Sequence, residues 1–236
     1  MFDTPLLLAK NEGLTFDQRL AQRVLDLVVS IIALVITSPV MLVIAIAIKA
    51  YDGGPVFFVQ DRCTINGKVF KIHKFRSMIE NAEKDGEVIP ATDDDARITP
   101  VGKIIRKTRL DELPQFFDIL IGNMSVVGPR PERVEHVEKY VEEVPEFTYR
   151  MKVKGGLTGY AQIYGKYNTS AYDKLKMDLM YISHPSLITD LRICFATVKI
   201  LFTPESTEGI SEGQTTAMSV EADGDAALES SEILRM

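Results

Sequence analysis

An α+β fold seated on a membrane is what this sequence predicts, and three observations predict it. A long uncharged apolar run lies near the start, a two-strand pattern is divided by Asn66-Gly67, and two amphipathic segments lie near the end. The 236 residues are enough for one good core, with one domain plus appendages as the expectation. Nothing repeats at a fixed period, which argues against a solenoid. Two cysteines, Cys63 and Cys194, give no disulfide framework and point to a reducing compartment for the soluble mass.

Taken in order, residues 1–14 form an N-terminal arm and residues 15–50 a membrane helix. Thr15-Phe16-Asp17-Gln18 has the spacing of a capping box, so a helix is expected to start there. Leu27 to Ile48 contains 22 residues without a charge. At about 1.5 Å per residue that run is long enough for a hydrocarbon layer of about 30 Å. It starts too late for a secretory signal and lacks a small-residue cleavage site, so it is read as retained. Ser38-Pro39 lies near its middle, where the proline removes one backbone bond and Ser38 is a candidate to satisfy the freed carbonyl. Arg19 and Arg23 precede the run, and Lys49, Arg62, Lys68, Lys71, Lys74 and Arg76 follow it. Both ends therefore read as cytoplasmic, which favours a re-entrant helix broken at Ser38-Pro39 over a kinked single span.

Residues 51–202 form a cytosolic or interfacial domain. Asn66-Gly67 between two β-prone stretches is a hairpin signal. The run Asp93-Asp94-Asp95 reads as a solvated loop. Thr99-Pro100 opens a helix as N-cap and first-turn proline. Asp111 is expected to cap the next helix, with Pro114 in its first turn, and Pro131 to start a charged helix running to about Glu143. Gly155 to Gly159 reads as a loop. Ala171 to Ile182 and Leu187 to Phe202 are amphipathic, and the wide apolar face of the second suits core packing and the headgroup interface equally. Residues 203–236 carry a net −7, which leaves +1 for residues 1–202. That tail reads as an acidic, disordered extension with no catalytic role.

The stretch LDELPQFFDILIGNMSVVGPRPE, residues 110 to 132, concentrates the chemistry. By itself an Asp-Glu pair is an ordinary surface pair or helix cap. Here Lys74, Arg76, Arg106, Arg109 and Arg130 are expected near Asp111-Glu112 in a compact fold. A helix start favours negative charge on carboxylate or phosphate alike. Arg130 stands between Pro129 and Pro131, on a backbone stiffened for bidentate phosphate recognition. Aspartate can attack phosphorus, provided cations offset the charge of an incoming diphosphate. The residues therefore point to phosphoryl transfer.

The order of RVLDLVVSIIALVITSPVMLVIAIAIK, GKVFKIHKFRSM, ARITPVGKIIRKTRLDELPQFFDILIGNMSVVGPRPE and GGLTGYAQIYGK resembles the bacterial sugar transferase family, the monotopic phosphoglycosyl transferases. The likeness covers roughly residues 15 to 202. It implies a re-entrant helix at Ser38-Pro39, interfacial amphipathic helices, and a Mg2+-dependent site at the cytosolic face of the bacterial inner membrane. It implies transfer of a sugar 1-phosphate from a UDP-sugar to a polyprenyl phosphate with release of UMP, as the first step of a lipid-linked glycan. Asp111 falls on the family's nucleophile and Glu112 on its general base or metal helper, both being candidate metal ligands. Lys74, Arg76, Arg106, Pro129, Arg130 and Pro131 fall on substrate-binding positions. Partners implied are the UDP-sugar, the polyprenyl phosphate, membrane lipid and a homo-oligomer as one allowed state, with no nucleic acid. Longer family members carry extra spanning helices before this module, where this chain shows a short arm.

His73 stands where the family often has tyrosine, and Gly156 and Tyr160 where proline and tryptophan are common, which weakens any inference about the sugar. His136 and His184 have no metal-ligand spacing. Two other readings stay open at this stage: a membrane-anchored scaffold for anionic lipid, and a membrane-bound phosphohydrolase.

Overall fold

The structure, a computed structural model, describes residues 13–80, 82, 95–165 and 169–201. The acidic tail, residues 1–12, Asp93 and Asp94 lie outside them. Helix α1 (Phe16–Asp52) opens as expected: the Thr15 hydroxyl accepts from the Gln18 amide, and the Gln18 side chain accepts from the Thr15 amide. It ends at Gly53, whose φ of 74° suits the left-handed cap that glycine adopts at no steric cost. Helical structure continues through Pro39, so the proline does not divide α1 into two helices. Pro39 offers no N–H to the Val35 carbonyl four residues back. The Ser38 hydroxyl donates to that oxygen at 2.9 Å, which is the compensation the sequence called for.

One stripe of α1 turns inward along its whole length. Gln22, Asp26 and Ser30 before the proline, and Met41, Ile44 and Ile48 after it, are buried. Pro39 lies on the opposite, exposed face with Val35, Ile36, Leu42 and Val43. By length and composition this helix can cross a membrane. The mixed fold, together with this apolar helix, fits a monotopic α+β membrane protein.

The hairpin is as expected. Strands β1 (Phe57–Cys63) and β2 (Val69–Phe75) pair antiparallel from Phe57 with Phe75 to Cys63 with Val69. Asn66 and Gly67 take φ of 56° and 70°, and the Lys68 amide donates to the Ile65 carbonyl, which makes a type I′ turn. Helix α2 (Pro100–Lys107) is capped by Thr99, whose hydroxyl accepts from the Gly102 amide at 2.9 Å.

Three expectations change. Asp111 does not cap α3 (Gln115–Ile121), whose N-cap is Pro114 with no side-chain bond. An N-capping residue needs extended backbone, but Arg109, at φ 55°, has already turned the chain into a 3-10 turn over Leu110–Glu112. Helix α4 (Val134–Glu143) begins three residues after Pro131, because Glu132 and Arg133 first pair with the end of β1. Gly155 to Gly159 is not a plain loop: β4 (Gly156–Thr158) runs parallel to β3 (Ser125–Val127). A Cβ on Gly156 would stand 2.1 Å from the Gly128 nitrogen, so the close approach needs glycine.

The remaining helices are α5 (Tyr160–Tyr164), α6 (Ala171–Ser183) and α7 (Leu187–Leu201). The main core joins Phe70 and Ile72 of β2, Ile119 of α3, Val126 and Val127 of β3, and Tyr181, Ile182 and Ile193 of the last two helices. A second cluster packs Met41, Ile44 and Ile48 of α1 against Phe75 and Ile105. On α7, Ile193 is buried while Ile188, Phe195 and Val198 are exposed. The helix thus has an inward face for the core and an apolar outward face as well.

Candidate active site

Glu112 is the anchor of the site. Its Oε1 accepts from Lys74 Nζ at 2.9 Å and from Arg130 Nη2, while its Oε2 faces Arg130 Nη1 at 3.4 Å. Burial works against this charge, yet Arg130 and Lys74 outweigh it and hold the carboxyl well below the usual carboxylate range. Both donors come from the ends of strands. Lys74 is the penultimate residue of β2, and Arg130 follows β3 by three residues.

Asp111 is held differently. Burial first, and the neighbouring Glu112 charge second, push its carboxyl above the ordinary value, with Lys74, Arg106 and Arg130 opposing. Neither the Asp111 carboxylate nor the Arg106 guanidinium has a hydrogen-bond partner among the described residues, although each acts on the other through space. Adjacent carboxylates are therefore driven apart. One is locked as an anion between two cations, and the other is left more basic and unengaged. Environments that separate two neighbouring acids in this way give them different chemical roles.

The structure brings Asp111, Glu112, Lys74, Arg106 and Arg130 into one cluster. Pro129 and Pro131 flank Arg130, and the carbonyl of each accepts a hydrogen bond from elsewhere in the fold, from the Gly156 amide at 2.8 Å and from Arg62 Nη1 at 3.1 Å. Arg76 is not brought to the carboxylate pair. Its buried guanidinium pairs with Asp52 at the end of α1 and lies against Gly54, where a Cβ would stand 2.2 Å from Nη1. Asp95 of the acidic run is engaged by Arg97. No group of three metal-ligating side chains occurs among the described residues.

Several buried polar residues that support the site were missed from the sequence. Asp118 is fully buried and accepts from the His73 amide at 2.9 Å, with His73 Nδ1 2.8 Å from its other oxygen. Asp26 accepts from the Ser125 hydroxyl and the Val126 amide, both at 2.8 Å. Arg150 pairs with Asp178 at 2.7 Å. For α1 a signal existed: Gln22, Asp26 and Ser30 recur every fourth residue, a polar stripe with helical spacing. Asp118 and Asp178 sit in runs where nothing distinguishes them from surface acids.

Residues 17–204 match the family described as bacterial sugar transferase. The chain belongs to this family. Among curated relatives, this sugar transferase family member is 45% identical over 203 residues to a UDP-glucose:undecaprenyl-phosphate glucose-1-phosphate transferase of Klebsiella pneumoniae, covering 84% of this chain and 42% of the relative. It is 43% identical over 185 residues to a UDP-N-acetylgalactosamine-undecaprenyl-phosphate N-acetylgalactosaminephosphotransferase of Aeromonas hydrophila, covering 77% and 44%. An uncharacterized sugar transferase, EpsL, of Bacillus subtilis (strain 168) is 36% identical over 184 residues, covering 78% and 88%. The chain thus spans less than half the length of the first two relatives and most of the third.

Proposed function

We propose that this protein transfers a sugar 1-phosphate from a UDP-sugar to a polyprenyl phosphate, releasing UMP, at the cytosolic face of the bacterial inner membrane. The observation that carries the reading is the separation of the two carboxylates, with Asp111 unengaged beside three cationic side chains and Glu112 fixed between two of them. An Asp111 oxygen attacks the sugar-side phosphorus. The bond to the bridging oxygen breaks and UMP leaves, so the phosphosugar is held as an acyl phosphate. A phosphate oxygen of the lipid then attacks the same phosphorus, forms the lipid diphosphate sugar and frees Asp111. Lys74, Arg106 and Arg130 offset the charge that builds on the phosphoryl oxygens. Glu112, held well below its ordinary range, is a poor proton acceptor, which favours an electrostatic or metal-assisting role over that of general base.

The donor set fits Mg2+ only in a particular way. Two adjacent carboxylates with no third ligand among the described residues make no protein cage. Magnesium is commonly bound by one or two carboxylates together with substrate phosphates and water. Asp111 and Glu112 would hold it on that basis, and when bound it offsets diphosphate charge.

The re-entrant topology belongs to the same reading. Residues on both sides of Pro39 pack on one body, Gln22 and Asp26 against β3, and Met41, Ile44 and Ile48 against Phe75 and Ile105. A helix whose two halves both rest on the cytosolic fold is poorly placed to leave one end across the bilayer.

The test is UMP release from a panel of UDP-sugars by the full chain in lipid, with and without polyprenyl phosphate and with Mg2+ chelated. Turnover that requires the lipid and the metal supports the transfer. Lipid-independent release would make the protein a phosphohydrolase, and no release with any UDP-sugar would sink the reading.

A further inference from the structure

The residues that set the position of Arg130 lie outside the charged cluster. From Pro129 to Glu132, four successive backbone carbonyls each accept a hydrogen bond from a different part of the fold. Gly156 N–H of β4 donates to Pro129 at 2.8 Å, and Arg150 Nη2 to Arg130 at 3.1 Å. Arg62 Nη1 donates to Pro131 at 3.1 Å, and Cys63 N–H to Glu132 at 2.9 Å. Pro129 and Pro131 have fixed φ, and Pro131 confines Arg130 to extended backbone, but within that broad well the direction of each carbonyl is still set by what it bonds to. Two of the four donors are ordinary strand or bridge contacts. The other two are arginine side chains, and the Arg130 carbonyl is held by one of them.

Arg150 is itself over-determined. It is 4% exposed, and its Nε and Nη2 reach Asp178 of α6 at 2.9 and 2.7 Å. Its Nη1 lies 3.6 Å from Glu132, and its guanidinium stands 4.6 Å over the Phe147 ring. Only a planar fork can serve Asp178, Glu132 and the Arg130 carbonyl together, because its donors diverge in fixed directions. Placing a buried ion pair here carries a desolvation cost that an apolar pair would avoid. The carbonyl bond gives that expense a purpose beyond stability.

We propose that Arg150, aligned by Asp178, is a positioning residue that fixes the backbone of the Pro129-Arg130-Pro131 turn and thereby aims the Arg130 guanidinium at Glu112 and the diphosphate. The inference rests on the phosphate-binding role proposed above for Arg130. Arg150 touches no reacting atom, and its effect on rate passes through Arg130 alone.

The experiment is a double-mutant cycle in the full chain, in lipid, with UMP release as readout. Arg150→Lys keeps the charge beside Asp178 and loses the fork. It is expected to lower kcat/KM by roughly 10²-fold, the scale of a misplacement of about 1 Å. In an Arg130→Ala background the same change is expected to cost less than about 3-fold, because the group it aims is gone. A merely structural arginine would lower activity equally in both backgrounds, and that equality would overturn the proposal. Hydrogen–deuterium exchange at the Gly156 and Cys63 amides, which donate to the Pro129 and Glu132 carbonyls, gives a second readout in the ligand-free protein that needs no activity. Arg150→Lys and Asp178→Asn are both expected to raise exchange there while leaving α1 unchanged. Unchanged exchange would overturn the proposal even if UMP release fails for every UDP-sugar, a result that would count against the transfer reading separately.

Discussion

Glu112→Gln is the perturbation whose size the structure constrains best. Glutamine keeps the shape of the side chain and removes the negative charge that Lys74 and Arg130 share. Breaking a fully buried ion pair from one side costs about 3–5 kcal/mol. Here the Glu112, Lys74 and Arg130 side chains are 15%, 18% and 36% exposed, so solvent screens part of the loss and about 2–3 kcal/mol is expected at neutral pH. For a chain of this size that corresponds to a fall in Tm of about 4–12 °C. The pH dependence has a definite sign. The folded carboxyl is depressed below its ordinary value of 4.5, so its contribution is complete above that value and is lost as pH falls toward the folded pKa. Each pH unit below 4.5 should narrow the gap between wild type and Glu112→Gln by about 1.4 kcal/mol. Denaturant unfolding of both proteins in the same detergent at pH 6.5 and pH 3.5 measures this. A gap that is constant, or wider at pH 3.5, would refute the assignment of Glu112 as the locked anion.

Asp111→Asn should abolish UMP release, by at least about 10³-fold, while leaving Tm nearly unchanged, since no hydrogen bond among the described residues is lost; mass spectrometry of wild type quenched during turnover should show the phosphosugar adduct on the Asp111 peptide. Arg130→Lys should lose most activity despite keeping the charge, because lysine cannot reproduce the fork, and full activity in a folded variant would remove the phosphate-binding role. Cysteines at Phe16 and Asp61, in a background lacking Cys63 and Cys194, should be labelled from the same side of the membrane. Pro39→Ala should allow the Phe16 site to appear on the other side, and labelling of that site from outside in the parent protein would establish a spanning helix instead.

Much of the local structure was legible because its signals are short-range. The Thr15 box, the Asn66-Gly67 turn and the Thr99-Pro100 start depend on a few adjacent residues, and each forms as read. Lys74, Arg106 and Arg130 were expected beside Asp111 and Glu112 together with Arg76 and Arg109, and the structure brings the first three there, although no local rule brings β2, α2 and the turn after β3 together. What stayed hidden depends on distant partners. Strand β4 is built on glycine for backbone contact and shows no apolar alternation. The shift of α4 follows from pairing of Glu132 and Arg133 with β1, some seventy residues earlier in the chain. Arg76 sits in a motif whose basic residues look equivalent in sequence, and only Asp52 and Gly54 separate it from Lys74.

The membrane helix and the charged cluster are one mechanical unit. Before Pro39, Gln22 donates to the Val127 carbonyl at 3.1 Å and Asp26 holds Ser125 and Val126, so this half of α1 grips β3 just ahead of the Gly128-Pro129-Arg130 turn. After Pro39, Met41, Ile44 and Ile48 pack on Phe75 and Ile105, the immediate neighbours of Lys74 and Arg106. Arg130 is thus referenced to one half of the helix, and Lys74 and Arg106 to the other. Asp111 and Glu112 lie on the turn that begins at Leu110, and Leu110 and Leu113 pack against the same cluster of Met41, Ile44 and Ile48. The two halves of α1 on either side of Pro39 thus pack on the elements that supply the three cations. The Ser38 hydroxyl, bonded to the Val35 carbonyl that Pro39 leaves without a donor, keeps the stretch that joins these two halves satisfied within the helix.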